Sequence, residues 1–521
     1  MAEKTTPAVS AKLRYAQLSQ PRNTVLERAR SNSELTIPGL VPVDGQDANT
    51  AFSQPYQSLG ARCVNNLAAW LLVTLFPPDQ SFARLSIHED AAAELGENLS
   101  VVREALARIS TKAMQFVEST ACRPIFMETL RHLVVAGNAL LYVPVDRSTP
   151  RMYRIDQYVV IRDEYGKLLE GVVHEKINPA ALAEATRTAC KVEWDPAKPS
   201  SKMVDVYTHI VREGDTVRHY QQINDIVVPG SEGQASAEQT GWMALRWQAV
   251  PGSDYGRAHV SEYIGDLVSL EDCSKAMIQF AAVASRIVHL VEPMAMVEID
   301  DLAAADTGEF LSGYGDKIKT LQLEKSQDFA ITNTVAERLE LRLSHAFMLQ
   351  SGTVRNADRV TAEEIRAMAQ ELENVLGGVY TVLSAELQLP LIKRILYILQ
   401  RDSEAPEIPE SVKPTIVTGF EAMGRNHSAN KLRMWAQDMV SMYGPEVIKE
   451  ITEATEVGRR FADSYGIEAV DQLIKTAEAV QSEQQAGMMN SAAMSAVPQL
   501  AKGMADVISA PDEPAQPMQG A

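Results

Sequence analysis

Cysteine is scarce in this chain: the four present, Cys63, Cys122, Cys190 and Cys273, stand far apart. None forms a CxxC pair and no histidine lies at ligand spacing. The pattern excludes a zinc ribbon and reads as unpaired thiols of a reducing compartment rather than as disulfides. Long apolar runs are missing too. The longest, Leu67 to Phe76, contains Thr74 and is closed by Pro77-Pro78, well short of the roughly 20 residues that span a bilayer. The stretch MAEKTTPAVSAKLRYAQLSQPR has no apolar centre and does not read as a signal peptide. Basic residues are outnumbered, 49 Lys and Arg against 68 Asp and Glu, for a net charge of −19. That balance excludes a general nucleic-acid-binding surface. Contact with DNA is then local, or the acidic surface serves to keep DNA from sticking.

Enzyme signatures are equally absent. There is no GxxxxGK[ST] phosphate loop, no HExxH and no GxSxG. Gly313-Tyr314-Gly315 lacks the third glycine and the βαβ setting of a dinucleotide fold. The nine histidines are scattered. Asp300-Asp301 falls in a loop and Glu363-Glu364 in a first helical turn, where acids serve solvation and the helix dipole. No catalytic residue, metal site or cofactor is assigned, and no repeat of fixed period is visible.

What is present favours helix. Apolar residues make up 45% of the chain, aromatics only 6%, and there are 20 methionines. The length accommodates two to four domains. Periodicity predicts helices over 10–35, 60–76, 90–120 and 124–136, the last ending at Gly137-Asn138, and a short strand over 82–87. The period then changes. ALLYVPV (139–145), residues 152–177 and 204–228, and MALRWQAVPG (243–252) alternate apolar with polar and read as antiparallel hairpins with one wet face. Glu213-Gly214-Asp215 is one of their turns, and Gly230 to Gly241 reads as a polar loop. From Ser261 a helix of about 30 residues, roughly 45 Å long, runs to Pro293. Residues 294–332 form a small mixed insert, with KIKTLQL and DFAITN as extended pieces, and a second long helix covers about Thr334 to Leu349.

The rest of the chain is organised around Val354 to Leu399. A polar turn carries Arg355 and Arg359, and Thr361 with Glu364 forms a capping box just before Arg366. Apolar residues then recur at steps of three and four from Ile365 to Leu387. Gly377-Gly378 and Pro390 predict a kink. APEIPESVKPTIVTG (405–419) ends in a short strand. Residues 425–484 read as acidic helices, and 485–521 as a disordered tail of Met, Ala, Gln, Gly and Pro.

Three stretches carry a resemblance: GARCVNNLAAWLLVTLFPPDQSFARLSI (60–87), SLEDCSKAMIQFAAVAS (269–285) and RVTAEEIRAMAQELENVLGGVYTVLSAELQLPL (359–391). Over most of residues 10–425 the chain resembles the portal proteins, the head-to-tail connectors of short-tailed podovirus-type phages. The resemblance implies an α+β fold, mainly α with an antiparallel β-rich N-terminal part, built as wing, stem, clip and crown. On this sequence the wing is 1–260, the stem helices are 261–291 and 333–350, and the clip is 292–332. The tunnel loop is 351–360, the kinked wing helix with its return strand 361–424, and the crown 425–484. It further implies a structural, non-enzymatic ring of twelve subunits at one capsid vertex of the virion, assembled in the host bacterial cytoplasm. Double-stranded DNA passes through its channel without sequence readout during packaging and ejection. The implied partners are the terminase packaging motor, a tail adaptor, the major capsid and scaffolding proteins, and internal core proteins at the crown.

Within that resemblance Arg355, Arg359 and Arg366 are the candidates to face DNA, since phosphate contacts position a duplex without reading it. Arg355 and Arg359 flank Asp358, so a salt bridge between subunits is their alternative; for Arg366 the alternative is an interface. Lys317 and Lys319 are candidates for clip contacts with motor or adaptor, and Gly377 and Gly378 for the helix kink. Competing readings are an internal scaffold or core protein, and a packaging nuclease or ATPase.

Overall fold

The computed structural model describes residues 10–46, 50–77, 82–86, 99–195, 203–284, 288–291, 318–321, 326–349, 378–402, 415–418, 425–444 and 457–458. They belong to two compact units. The larger comprises Met1–His88 and Arg108–Ala422, the smaller Glu89–Ala107 and Met423–Ala521.

In chain order the elements are α1 (Ala11–Glu34), α2 (Leu59–Leu75), β1 (Ala83–Ser86), α3 (Leu99–Ser119), α4 (Cys122–Ala136), β2 (Asn138–Tyr142), β3 (Arg151–Tyr153), β4 (Tyr158–Arg162) and β5 (Leu168–Ile177). Then come α5 (Glu184–Ala189), β6 (Val204–Glu213), β7 (Thr216–Ile223), β8 (Ile226–Val227), β9 (Gly233–Ser236), β10 (Trp242–Arg246), α6 (Val260–Ala284), β11 (Val288–Val291), β12 (Ile318–Leu321) and α7 (Ser326–Ala346). The chain continues with α8 (Val379–Leu383), α9 (Leu389–Arg401), β13 (Thr415–Thr418) and α10 (Arg425–Tyr443). Mixed helix and antiparallel sheet is the class expected from the sequence.

The main sheet follows chain order, β4-β5-β6-β7-β8, with β9 added against β7. Neighbouring residues of a strand point to opposite faces, and β4 shows both faces in use. Val159, opposite Val172, lies with Ala11, Tyr15 and Leu18 of α1; Tyr158, Val160 and Val173 join Leu26 and Ala29 of α1 in the main core on the other side. The single wet face expected for these hairpins is therefore covered here, because α1 packs on it. Arg22 marks the crossing. Its buried Nη1 donates to the Asp156, Ile155 and Tyr158 carbonyls at 3.0–3.2 Å.

A second sheet has the order β10-β2-β3. It is entered through Gly137, the expected left-handed cap of α4, at φ +76°. The apolar helix α2 packs on α4 and α7. Its C-terminal carbonyls are satisfied from outside the helix: Arg123 donates to Phe76 O (2.9 Å), and Gln388 to Leu75 O (2.6 Å). Strand β1 pairs with β13, Ala83 opposite Thr418.

Three expectations are corrected. The helix expected to 291 ends at Ala284, and Val288–Val291 pairs with Ile318–Leu321 as a ribbon; the β-branched Val288, Val291, Ile318 and Thr320 favour strand. DFAITN (328–333) is helical rather than extended, since α7 starts at Ser326. There Phe329 stacks on Phe280 of α6, and that packing overrides the local preference of Ile331 and Thr332. The polar loop of 230–241 contains β9, whose Gly-Gln-Ala-Ser sequence has no apolar alternation to reveal it. In the smaller unit the described part of 425–484 is α10, Gly444 and residues 457–458; the remainder and the tail of 485–521 lie outside the described residues.

Candidate functional site: a helical hairpin and its buried base

Helices α6 and α7 pack together as a hairpin. At 1.5 Å per residue, the 25 residues of α6 reach about 37 Å. Near one end Phe280 stacks on Phe329, and the ribbon β11–β12 continues beyond. Near the other end Arg342 Nε donates to Asp266 Oδ2 at 3.1 Å. The hairpin leaves large apolar side chains in water: Val268 and Ile278 on α6, and Ile331, Val335 and Leu341 on α7, with Ile331 65% exposed. Two helices cannot cover every such residue by themselves.

The base of the hairpin is tied to the body on several sides. His259, directly before α6, is 5% exposed and ringed by Trp247, Tyr263 and Phe347. Its Nε2 donates to Ala346 O at 3.1 Å, joining the start of α6 to the end of α7. Burial pushes its pKa down to about 4, so the ring is neutral at pH 7. Asn32 of α1 donates from Nδ2 to Val135 O and to Ser261 Oγ, both at 2.8 Å. Asn66 of α2 donates to Met348 O at 3.0 Å. Glu271 on α6 accepts the backbone N–H groups of Tyr56 (2.9 Å) and Gln57 (3.2 Å). The chain leaves this base at Leu349 and returns to the described structure at Gly378.

The returning segment is anchored by charge. Gly378 takes φ +93°, a conformation glycine adopts without steric cost, and α8 starts at the next residue. A π turn, Ser384–Gln388, joins α8 to α9. Pro390 is the second residue of α9. Having no N–H, it cannot bond back to the carbonyl four residues earlier, and the wider turn sits over that gap. The π turn carries Glu386, which accepts both the backbone N–H (2.9 Å) and Nε (3.0 Å) of Arg246 on β10. Both side chains are largely buried, at 10% and 18% exposed. Arg162 lies close by, held by Ala244 O, Gly166 O and both the carbonyl and carboxylate of Asp254. Burial pulls its pKa below the ordinary arginine value, and Glu386 opposes that shift.

Of the residues singled out from sequence, Arg355, Arg359, Arg366, Lys317 and Gly377 lie outside the described residues. Lys319 is on β12, opposite Leu290 of β11. The residues that fix the hairpin base, His259, Asn32, Asn66 and Glu271, were not among the candidates, because each bonds to a segment remote in sequence. Arg246 had a faint signal: it is a charge ending the strand MALR, which is buried throughout.

The chain matches the model of a family described as bacteriophage head to tail connecting protein over residues 8–474. It is 38% identical to the portal protein of Escherichia phage T7, over 98% of this chain and 97% of that one. It is 37% identical to the portal protein of Enterobacteria phage T3 over 93% and 92% of the two chains, and 28% identical to that of Pseudomonas phage phiKMV over 94% and 96%. With the family model covering most of its length and relatives aligned nearly end to end, the chain belongs to the bacteriophage head-to-tail connecting proteins.

Proposed function

We infer that this chain is a portal subunit, joining the head of a short-tailed phage to its tail as a virion component. The observation that carries this is the near end-to-end alignment with the portal protein of phage T7. The finer reading is a ring of twelve subunits at one capsid vertex with a central channel for double-stranded DNA. The α6–α7 hairpin is the stem, and its exposed apolar residues are covered by the next subunit. The ribbon β11–β12 belongs to the clip, which meets the terminase motor and then the tail adaptor; Lys317 and Lys319 are its contact candidates. Residues 1–260 with α8, α9 and β13 form the wing. The region after 425 is the crown, facing internal core proteins, while capsid and scaffolding proteins surround the ring. Assembly takes place in the bacterial cytoplasm. Gly377-Gly378 and the π turn let the wing helix change direction. Images of the purified assembly down its axis, with native mass spectrometry, test the ring; a chain that stays monomeric at all concentrations and salts refutes it.

The tunnel loop of 351–360 supplies the channel constriction, with Arg355, Arg359 and Arg366 as rings of cations in a wall of net negative charge. A repelling wall with few phosphate contacts lets DNA slide while holding it at one level. Arg359→Ala is therefore expected to give rings that assemble normally but heads that retain packaged DNA poorly, measured as nuclease-protected DNA per particle. Failure of ring assembly in this variant assigns Arg359 to the subunit interface instead.

A further inference from the structure

Helix α7 stops in an unusual way. The Leu349 N–H donates to Ser344 O (2.8 Å) and the Met348 N–H to His345 O (3.1 Å), the paired bonds of a Schellman stop. Met348 stands at the turn with φ +55°. Glycine normally supplies that left-handed conformation, because a side chain is strained in it. Here the residue is a methionine, and it is 2% exposed. Backbone strain of this kind persists only where the surroundings hold it.

The hold comes from α2. The last carbonyls of a helix have no partner within it. Asn66 supplies one for two of them: Nδ2 donates to Phe347 O (3.2 Å) and to Met348 O (3.0 Å). These carbonyls belong to the peptide groups before and after the Met348 Cα, so one side-chain amide grips both peptides that set its φ and ψ. Cys63, three residues earlier and on the same face of α2, brings its thiol to 4.0 Å from Leu343 O. His259 takes Ala346 O, and the backbone N–H groups of Phe347, Leu349 and Met348 take the carbonyls of Leu343, Ser344 and His345. Every carbonyl from Leu343 to Met348 is thus engaged at the point where the chain leaves for 350–377.

We propose that Asn66 is a positioning residue: by holding Met348 in its left-handed conformation it fixes the direction in which the chain leaves α7, and with it the level of the loop carrying Arg355 and Arg359. The second half of this statement rests on the channel reading of 351–360. Hydrogen exchange of the full-length assembled protein, followed by mass spectrometry, tests the first half. In wild type the Met348 and Leu349 amides are expected to exchange within about tenfold of the middle of α7. Rates of a frayed helix end would overturn the proposal, and this measurement decides the matter if Asn66→Ala does not fold. In Asn66→Ala the same two amides are expected to exchange about tenfold faster or more, with the middle of α7 unchanged; equal acceleration along all of α7 would make Asn66 a general stabiliser and overturn the positioning role. Nuclease-protected DNA per particle tests the second half, and is expected to fall about twofold or more in Asn66→Ala rings. Full retention there, when Arg359→Ala loses DNA, overturns the link between Asn66 and the loop. Full retention in both variants marks the channel reading as the part that fails, and the exchange rates alone then decide the role of Asn66.

Discussion

Glu386→Ala is expected to lower the stability of the larger unit by about 3–5 kcal/mol, the loss typical of removing one partner from a buried ion pair. The size follows from what remains behind. Arg246 keeps its charge with 10% of its side chain exposed, and its backbone N–H loses its acceptor at the same time. Arg162, already disfavoured by burial, loses the carboxylate that opposes its pKa shift. Two largely buried cations would then be left close together, with Asp254 the carboxylate bonded to Arg162 among the described residues. The paired change Arg246→Met with Glu386→Leu removes one cation and its partner together, and is expected to recover more than half of the loss. Urea denaturation followed by tryptophan fluorescence measures both. A loss under about 1 kcal/mol in Glu386→Ala, the range of exposed pairs, would show that water reaches this contact.

Acid is expected to loosen the hairpin base through His259. The sign follows from its depressed pKa. The unfolded ring titrates near 6.5 and the folded one near 4, so above pH 6.5 both states are neutral and the contribution is fully present. As the pH falls from 6.5 to about 4 the unfolded state takes up a proton that the folded state refuses, and stability is lost. The full span is about 3 kcal/mol, from 1.36 kcal/mol per pKa unit. Wild type should therefore lose about 3 kcal/mol more than His259→Gln between those limits, and hydrogen exchange at the start of α6 should quicken along with it. Parallel pH profiles for the two proteins would assign the acid sensitivity to other groups.

The parts of the fold that were legible in the sequence are those written locally. The cap at Gly137, the Glu213-Gly214-Asp215 turn and the apolar periodicity of α2 and α3 each depend on residues within a few positions of one another, and each appears where expected. What escaped depends on contacts made at long range. DFAITN becomes helix because α6 offers Phe280, and the alternation of β4 loses its wet side because α1 lies over Val159. The base of the hairpin was hidden for the same reason. His259 looks ordinary in GRAHVSEY, and only the fold brings Ala346 to its ring. The family, by contrast, was readable from three stretches of sequence.

The pairing of β1 with β13 sets a schedule for the newborn chain. Residues 83–86 leave the ribosome early and find their partner only when 415–418 has been made. At the usual 5–20 residues per second, that interval is about 20–60 seconds. Throughout it β1 offers an unpaired edge. Completion of this sheet is thus timed by the last third of the chain.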